Sequence, residues 1–256
     1  MPQLFRPVAN TLAKVSLLAL VAAPVGVMFA GSAISRSSAN TKVGLALAQP
    51  VPFSHQHHAM ELGIDCRFCH TSVEKGAVAG IPSSDTCMMC HSQIWTDSPL
   101  LEPVRQSYST GKPITWDNST DVGWTKIAKV PEFVFFNHSI HVNRGISCDY
   151  CHGPVQKMPL TYKGKPFFMQ WCLDCHRNPE KFLYTDPQFP KLSGREQVLH
   201  LYYKIQSGAK LTAREQALAD GGDYTPTPDE LSKGKKLLEK FHIKKANLED
   251  CSICHH

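Results

Sequence analysis

The sequence predicts a mostly irregular chain with short α-helices, little β structure and one N-terminal transmembrane helix. Three observations predict it. All ten cysteines fall into five C-x-x-C pairs, no sustained helix or strand period runs through the segments that hold them, and one stretch of twenty residues carries no charge.

The uncharged stretch runs from Val15 to Ile34, VSLLALVAAPVGVMFAGSAI, about the length a helix needs to cross the hydrocarbon core. Pro24, Gly26 and Gly31 weaken it as an autonomous helix. It exceeds the roughly 7 to 15 apolar residues of a signal peptide, which favours an uncleaved anchor. Ala46-Leu47-Ala48 before Gln49 keeps a signal-peptidase site as the alternative. Either way the residues after about 40 leave the cytoplasm.

Composition narrows the rest. Hydrophobic residues make up 42% of 256 positions and charged residues 19%, while Pro (18), Gly (16), His (13) and Cys (10) together exceed a fifth of the chain. That balance excludes a coiled coil, a disordered chain and a polytopic membrane protein. A formal charge of +5 gives no concentrated basic face for nucleic acid.

The cysteines carry the chemistry. The five pairs are Cys66/Cys69, Cys87/Cys90, Cys148/Cys151, Cys172/Cys175 and Cys251/Cys254, and each is followed at once by a histidine: His70, His91, His152, His176 and His255. C-x-x-C-H is the attachment motif of c-type haem, in which two thiols form thioethers and the adjacent imidazole reaches the iron. Zinc ribbons and disulfide frameworks use paired cysteines too, and the spacings Cys69 to Cys87 and Cys151 to Cys172 fall in the ribbon range. Neither has a use for the histidines. With histidine at about one position in twenty, five of five by chance is on the order of three in ten million, so five c-type haems are expected.

Second axial ligands come from a repeat. Phe53-Ser54-His55-Gln56-His57-His58 precedes Gly63-Ile64-Asp65-Cys66, and Phe136-Asn137-His138-Ser139-Ile140-His141 precedes Gly145-Ile146-Ser147-Cys148. Histidines three apart on one helical turn point to one side at different heights, so His55 and His58, and His138 and His141, can each serve two neighbouring haems. His57 is an alternative to His58. His200 reads as a solvent-facing helix residue, and His200, His242 and His256 stay open as ligands. Four histidines for five haems leave one iron for a thioether, Met169 or Met158, and that haem would have the highest potential.

The chain therefore divides into an anchor and linker (1–48), a first di-haem unit (49–91), a connecting segment (92–135) with Trp95, Trp116 and Trp124, a second di-haem unit (136–183) and a short-helix region carrying the fifth haem (184–256). In the last, Ser193-x-x-Glu196, Thr212-x-x-Glu215 and Thr227-x-x-Glu230 read as capping boxes. Val198, Leu201, Tyr202 and Ile205 form a buried stripe on the first of these helices, and the lysines from Lys233 to Lys245 a solvated face.

These residues resemble the membrane-anchored pentahaem cytochrome c subunit of alternative complex III, with units like those of the cytochrome c7/c3 class. The resemblance rests on Gln49 through His55, His58 through Cys69, Ala79-Gly80-Ile81-Pro82, Pro131 through His141, Cys151-His152-Gly153 and Met169-Gln170-Trp171-Cys172 running into Cys175-His176-Arg177. It implies that His55, His58, His138 and His141 serve the first to fourth haems in order, with Met169 the candidate for the fifth. His256 and Gln170 depart from the family pattern, which has Arg and often Gly there. The implied partners are an iron–sulfur subunit like those of molybdopterin oxidoreductases, multi-span quinol-binding membrane subunits and a monohaem cytochrome c. The implied place is the periplasmic side of a bacterial inner membrane. The expected role is electron transfer without bond chemistry or catalytic residues. A stand-alone quinol dehydrogenase is the main alternative, and a multihaem nitrogen-oxide enzyme, which would need an open iron site, is the weaker one.

Overall fold

The computed structural model describes residues 6–114 and 123–255, so Trp116 and His256 lie outside the described residues. Two compact units emerge, Met1–Val43 and Gly44–His256.

The first unit is dominated by one helix, Pro7–Arg36, which extends the uncharged run at both ends. Proline at its first turn gives up an N–H that would have no partner there anyway. Pro24 removes an intrahelical bond, and the Leu- and Ala-rich flanks carry the helix across it. Its 30 residues span about 45 Å, more than the hydrocarbon core of about 30 Å. Among the described residues, Val8–Arg36 is the one segment long and apolar enough to cross a membrane, and its most apolar 18-residue stretch has a mean hydropathy of 2.2.

The second unit is built of short helices and irregular segments. Among its described residues there is no strand, only the isolated antiparallel bridges Ala46 to Tyr162 and Val134 to His255. Its side-chain core is divided. Val51, Leu101, Val104 and Ile114 form one cluster, against which Cys87, Met88 and Trp124 pack. The helix Glu102–Thr110 supplies part of that cluster and had no clear signal in the sequence. The other apolar group lies on the later helices Gly194–Gln206, Ala213–Ala219 and Pro228–Lys240, with Val198, Leu201, Tyr202, Leu218 and Leu237 buried.

All three capping boxes form. In each, a Ser or Thr caps the helix and the glutamate three residues on reaches back to the cap N–H, at 2.7 to 2.8 Å. Glu215 does double duty. It is 1% exposed and receives Lys204 Nζ at 2.6 Å, while the same ammonium reaches Asp186 Oδ2 at 2.9 Å. Arg214, also 1% exposed, donates to the carbonyls of Lys181 and Leu183. These buried charges tie the helix Gly194–Gln206 to the loop before it and the helix after it. Among the lysines of the expected solvated face, Lys233 pairs with Asp229 and Lys245 with Glu180.

Candidate haem-binding site

Each C-x-x-C-H motif starts or sits within a short helix: Cys66–Cys69, Ser84–His91, Cys148–His152, Met169–Arg177 and Cys251–Cys254. Residues three apart on a helix share a face, so both thiols of a pair project to one side and the histidine follows at the helix end. Two of these starts carry local caps. Asp65 accepts from the Arg67 N–H at 2.8 Å, and Ser147 from the Asp149 N–H at 3.4 Å.

None of the ten thiols is in a disulfide. Burial pushes the Cys66, Cys151 and Cys175 thiols up to about 12 and that of Cys148 to about 11, so none of these four is a thiolate at neutral pH. Among the described residues no cluster of three or more His, Cys, Asp or Glu could hold a metal ion unaided. That arrangement suits neither thiol redox chemistry nor a four-thiolate zinc site.

The histidines are arranged in facing pairs. His55 faces His70 with ring centres 6.4 Å apart, His58 faces His91 at 6.2 Å, His138 faces His152 at 6.3 Å and His141 faces His176 at 6.3 Å. With metal–nitrogen bonds of about 2 Å and about 1.2 Å from nitrogen to ring centre, two imidazoles on opposite sides of one iron have centres roughly 6.3 Å apart. Aromatic pairs in general spread over about 4.5 to 7 Å, so four values within so narrow an interval point to a common spacer. The planes of three pairs lie within 23° of parallel, whereas His58 and His91 are turned by 62°.

The second nitrogens fix the rings. Nδ1–H donates to a backbone carbonyl in His58 (Ser54, 2.8 Å), His70 (Gly80, 2.7 Å), His91 (Ile94, 3.1 Å), His138 (Ala77, 2.7 Å), His141 (Asn137, 2.8 Å) and His176 (Leu248, 2.8 Å). His55 Nδ1 pairs with the Thr161 hydroxyl at 2.9 Å. This leaves Nε2 as the lone-pair nitrogen, the tautomer a metal requires. Burial holds His55 and His152 down to about 4, and lowers His58 and His141, so these imidazoles are neutral and able to bind a metal. Gly80, at φ +83, turns its carbonyl toward His70, which gives the Ala79-Gly80-Ile81-Pro82 stretch a purpose.

Beside the motifs and the histidine turns large apolar side chains stand in solvent, among them Phe68, Met89, Ile140 and Phe168, with Phe133 against the His255 ring. A protein of this size does not leave so much apolar surface beside its motifs without a partner to cover it, and porphyrin faces suit it. The donor set, its spacing and this apolar surround fit c-type haem.

The remaining candidates separate clearly. His57 Nδ1 pairs with the Glu61 carboxylate at 2.8 Å on the exposed side of its turn, with its ring edge-on to His58 at 5.4 Å. His200 is not solvent-facing as its helix position suggests. It packs against Phe189 at 4.4 Å with Nε2 3.3 Å from Asp186 Oδ2, because the loop before its helix folds back over that face. His242 lies just past the end of the helix Pro228–Lys240, at φ 53. His255 has no histidine facing it among the described residues; its ring lies 5.8 Å from Phe133, and Phe135 N–H donates to the Cys254 carbonyl. Met158 is 1% exposed and packs beside Gly153, whereas Met169 is 62% exposed at the start of the helix that carries Cys172. Cys172 lies near Cys254.

The class III cytochrome C family matches residues 31–106, which include the first pair of motifs. The multihaem cytochrome c subunit of the menaquinone reductase of Nitratidesulfovibrio vulgaris is 30% identical over 151 residues, 51% of this chain and 68% of that protein. The chain belongs to the class III multihaem cytochrome c family. A cytochrome c-552 of Desulfotalea psychrophila is 27% identical to this cytochrome over 126 residues, 46% of the chain and 25% of that relative. Membership gives the cytochrome c-type haems as its prosthetic groups.

Proposed function

We propose that this cytochrome holds five c-type haems and serves as the electron-transfer subunit of a membrane quinone-linked oxidoreductase of the alternative complex III kind. The observation that carries the reading is the set of four histidine pairs held at the spacing of a shared iron. On it, Cys66, Cys69, Cys87, Cys90, Cys148, Cys151, Cys172, Cys175, Cys251 and Cys254 form the thioethers. His70, His91, His152, His176 and His255 are the proximal ligands. His55, His58, His138 and His141 are the distal ligands of the first four irons. Met169, which begins the helix leading to Cys172 near Cys254, is the distal ligand of the fifth.

When bound, each haem iron supplies a reversible one-electron couple. The chain's own residues hold the ligating nitrogens in place through backbone carbonyls, so little reorganisation accompanies a change of charge. Held by these residues, each iron would have protein donors and no open position for a substrate, which supports electron relay over nitrogen-oxide chemistry.

The quinone link draws on the similarity to a menaquinone reductase subunit and on the apolar helix Val8–Arg36. The segment after that helix supports a retained anchor. Ala46 is bridged to Tyr162, Gly44 N–H donates to the Lys163 carbonyl, and the Gln49 side chain exchanges two bonds with the Thr125 backbone. Cleavage after Ala48 would discard part of that stitching. The quinone site, an iron–sulfur subunit, multi-span subunits and a monohaem cytochrome then belong to partners, and the haem-bearing unit lies on the periplasmic side.

The test is to extract the protein from membranes under mild detergent. Five haem increments in the intact mass, only low-spin ferric signals and copurifying iron–sulfur and multi-span subunits are expected. Fewer haems, a high-spin iron that binds carbon monoxide, or recovery as a lone cytochrome able to oxidise quinol would overturn the reading.

A further inference from the structure

The order of the motifs in space differs from their order in the sequence. His55 and His58 stand on one turn and face His70 and His91, which makes the first and second motifs neighbours. The second di-haem unit docks on the loop that follows the first motif. The loop after His70 gives the Glu74 carbonyl to Asn143 Nδ2 at 3.0 Å, the Gly76 carbonyl to Ser139 N–H at 3.2 Å, and the Ala77 carbonyl to both the backbone N–H and Nδ1–H of His138. His138 faces His152, so the first motif abuts the third.

The same logic continues. His138 and His141 share the turn His138–Val142, which joins the third motif to the fourth. His176 Nδ1–H donates to the Leu248 carbonyl at 2.8 Å and Arg177 Nε reaches Glu249 at 2.9 Å, which joins the fourth to the residues just before the fifth. Exposure supplies an independent mark of the ends. Among the ten cysteines only Cys90 and Cys251 are exposed, one in the second motif and one in the fifth.

We infer that the five motifs form one linear series in the order second, first, third, fourth, fifth, with His91 and His255 at its two ends and His70 in the interior. The inference rests on the five-haem reading and goes beyond it, because it assigns the ports. Electrons exchanged with partners enter and leave beside Cys87–His91 and Cys251–His255, and the first motif of the sequence is an internal link.

Intact mass of the membrane-extracted holoprotein first establishes five haems; fewer sinks the five-haem reading itself. With five present, iron positions from anomalous diffraction of the same protein decide the order. The irons held by His91 and His255 are expected to have one near neighbour each, and the iron held by His70 two. A single neighbour for the His70 iron overturns the inference while leaving the five-haem reading intact. In solution, the double variant Cys251→Ala, Cys254→Ala is expected to alter the paramagnetic signal of the His141/His176 haem alone. Alteration at the His58/His91 haem would overturn the order, and if that variant does not fold the iron positions alone decide.

Discussion

Phe136 stacks on His141 with ring centres 4.7 Å apart and planes 21° from parallel, and it meets His138 edge-on at 4.8 Å and 88°. Phe53 repeats both contacts, stacked on His58 at 4.4 Å and edge-on to His55 at 4.9 Å. The first residue of each F-x-H-x-x-H unit is thus a wedge that sets the rotation of two imidazoles at once. Replacing Phe136 by Leu keeps the volume apolar and removes the flat face. Electron paramagnetic resonance of Phe136→Leu is expected to show two ferric signals shifted together, those of the third and fourth haems, with the signals of the first unit unchanged. A shift confined to one haem would show that the wedge acts on one ligand only.

Met169 and Met158 are distinguished by what their loss does. On the proposed five-haem ligation, Met169→His should lower the highest potential by on the order of 0.1 V, a modest part of the ~0.8 V range that axial ligation commands. Met158→Ala should leave every potential in place and cost about 2–5 kcal/mol of stability, the usual price of a buried truncation. Redox titration paired with thermal unfolding separates the two.

His57 and His58 make a second such pair. His58→Ala takes away the ring that faces His91, so one low-spin signal should become high-spin. His57→Ala breaks an exposed contact with Glu61, worth about 0–1 kcal/mol, and an edge-on contact with the His58 ring at 5.4 Å, and should leave every iron low-spin. A high-spin iron in the His57 variant instead would exchange the roles of the two.

The short-helix fold and the capping boxes at Ser193, Thr212 and Thr227 were legible in the sequence because they are set locally, and the C-x-x-C-H motifs stand out for the same reason, since thioether chemistry demands a fixed local spacing. The near absence of regular periodicity in the haem units is itself a sign that side chains are not the main filling. What could not be read is long-range. The docking of His138 on the Ala77 carbonyl joins residues far apart in sequence, and no pattern in either segment announces it. His200 misled because its exposure is decided by a loop that folds over it, not by its own helix. The first F-x-H-x-x-H unit also departs from a regular α-helical turn: Gln56–Glu61 is wound as a π-helix, with Leu62 N–H reaching the His57 carbonyl.

Asp149 sits in the third motif at 1% exposure, and among the described residues neither carboxylate oxygen has a hydrogen-bonding partner of good geometry. Burial pushes its carboxyl well above the usual 3.8, against smaller downward pulls from the Tyr202 hydroxyl and Lys157. The folded protein therefore binds a proton there that the unfolded chain has released above pH 3.8. Its contribution to stability is greatest below that pH and falls as pH rises toward the folded value. Asp149→Asn should match the parent protein near pH 4 and exceed it increasingly toward pH 7, as read by denaturant unfolding. Equal slopes with pH would mean that the carboxyl is ionised in the fold.

Lys204 lies between Asp186 and Glu215, whose side chains are 4% and 1% exposed. Lys204→Met would leave two buried carboxylates without their counter-charge, at a cost of about 3–5 kcal/mol, with the haem spectrum unchanged in whatever protein remains folded. Destabilisation below about 1 kcal/mol would show that the pair is neutralised in another way.

A turn that presents ligands to two irons binds their fates together. On the proposed ligation, Gln56–Glu61 begins next to His55 and contains His58, so ordering that turn for the group at Cys66 would also order the ligand for the group at Cys87, and the turn beginning at His138 would do the same for Cys148 and Cys172. Maturation of this cytochrome is therefore expected to advance by couples.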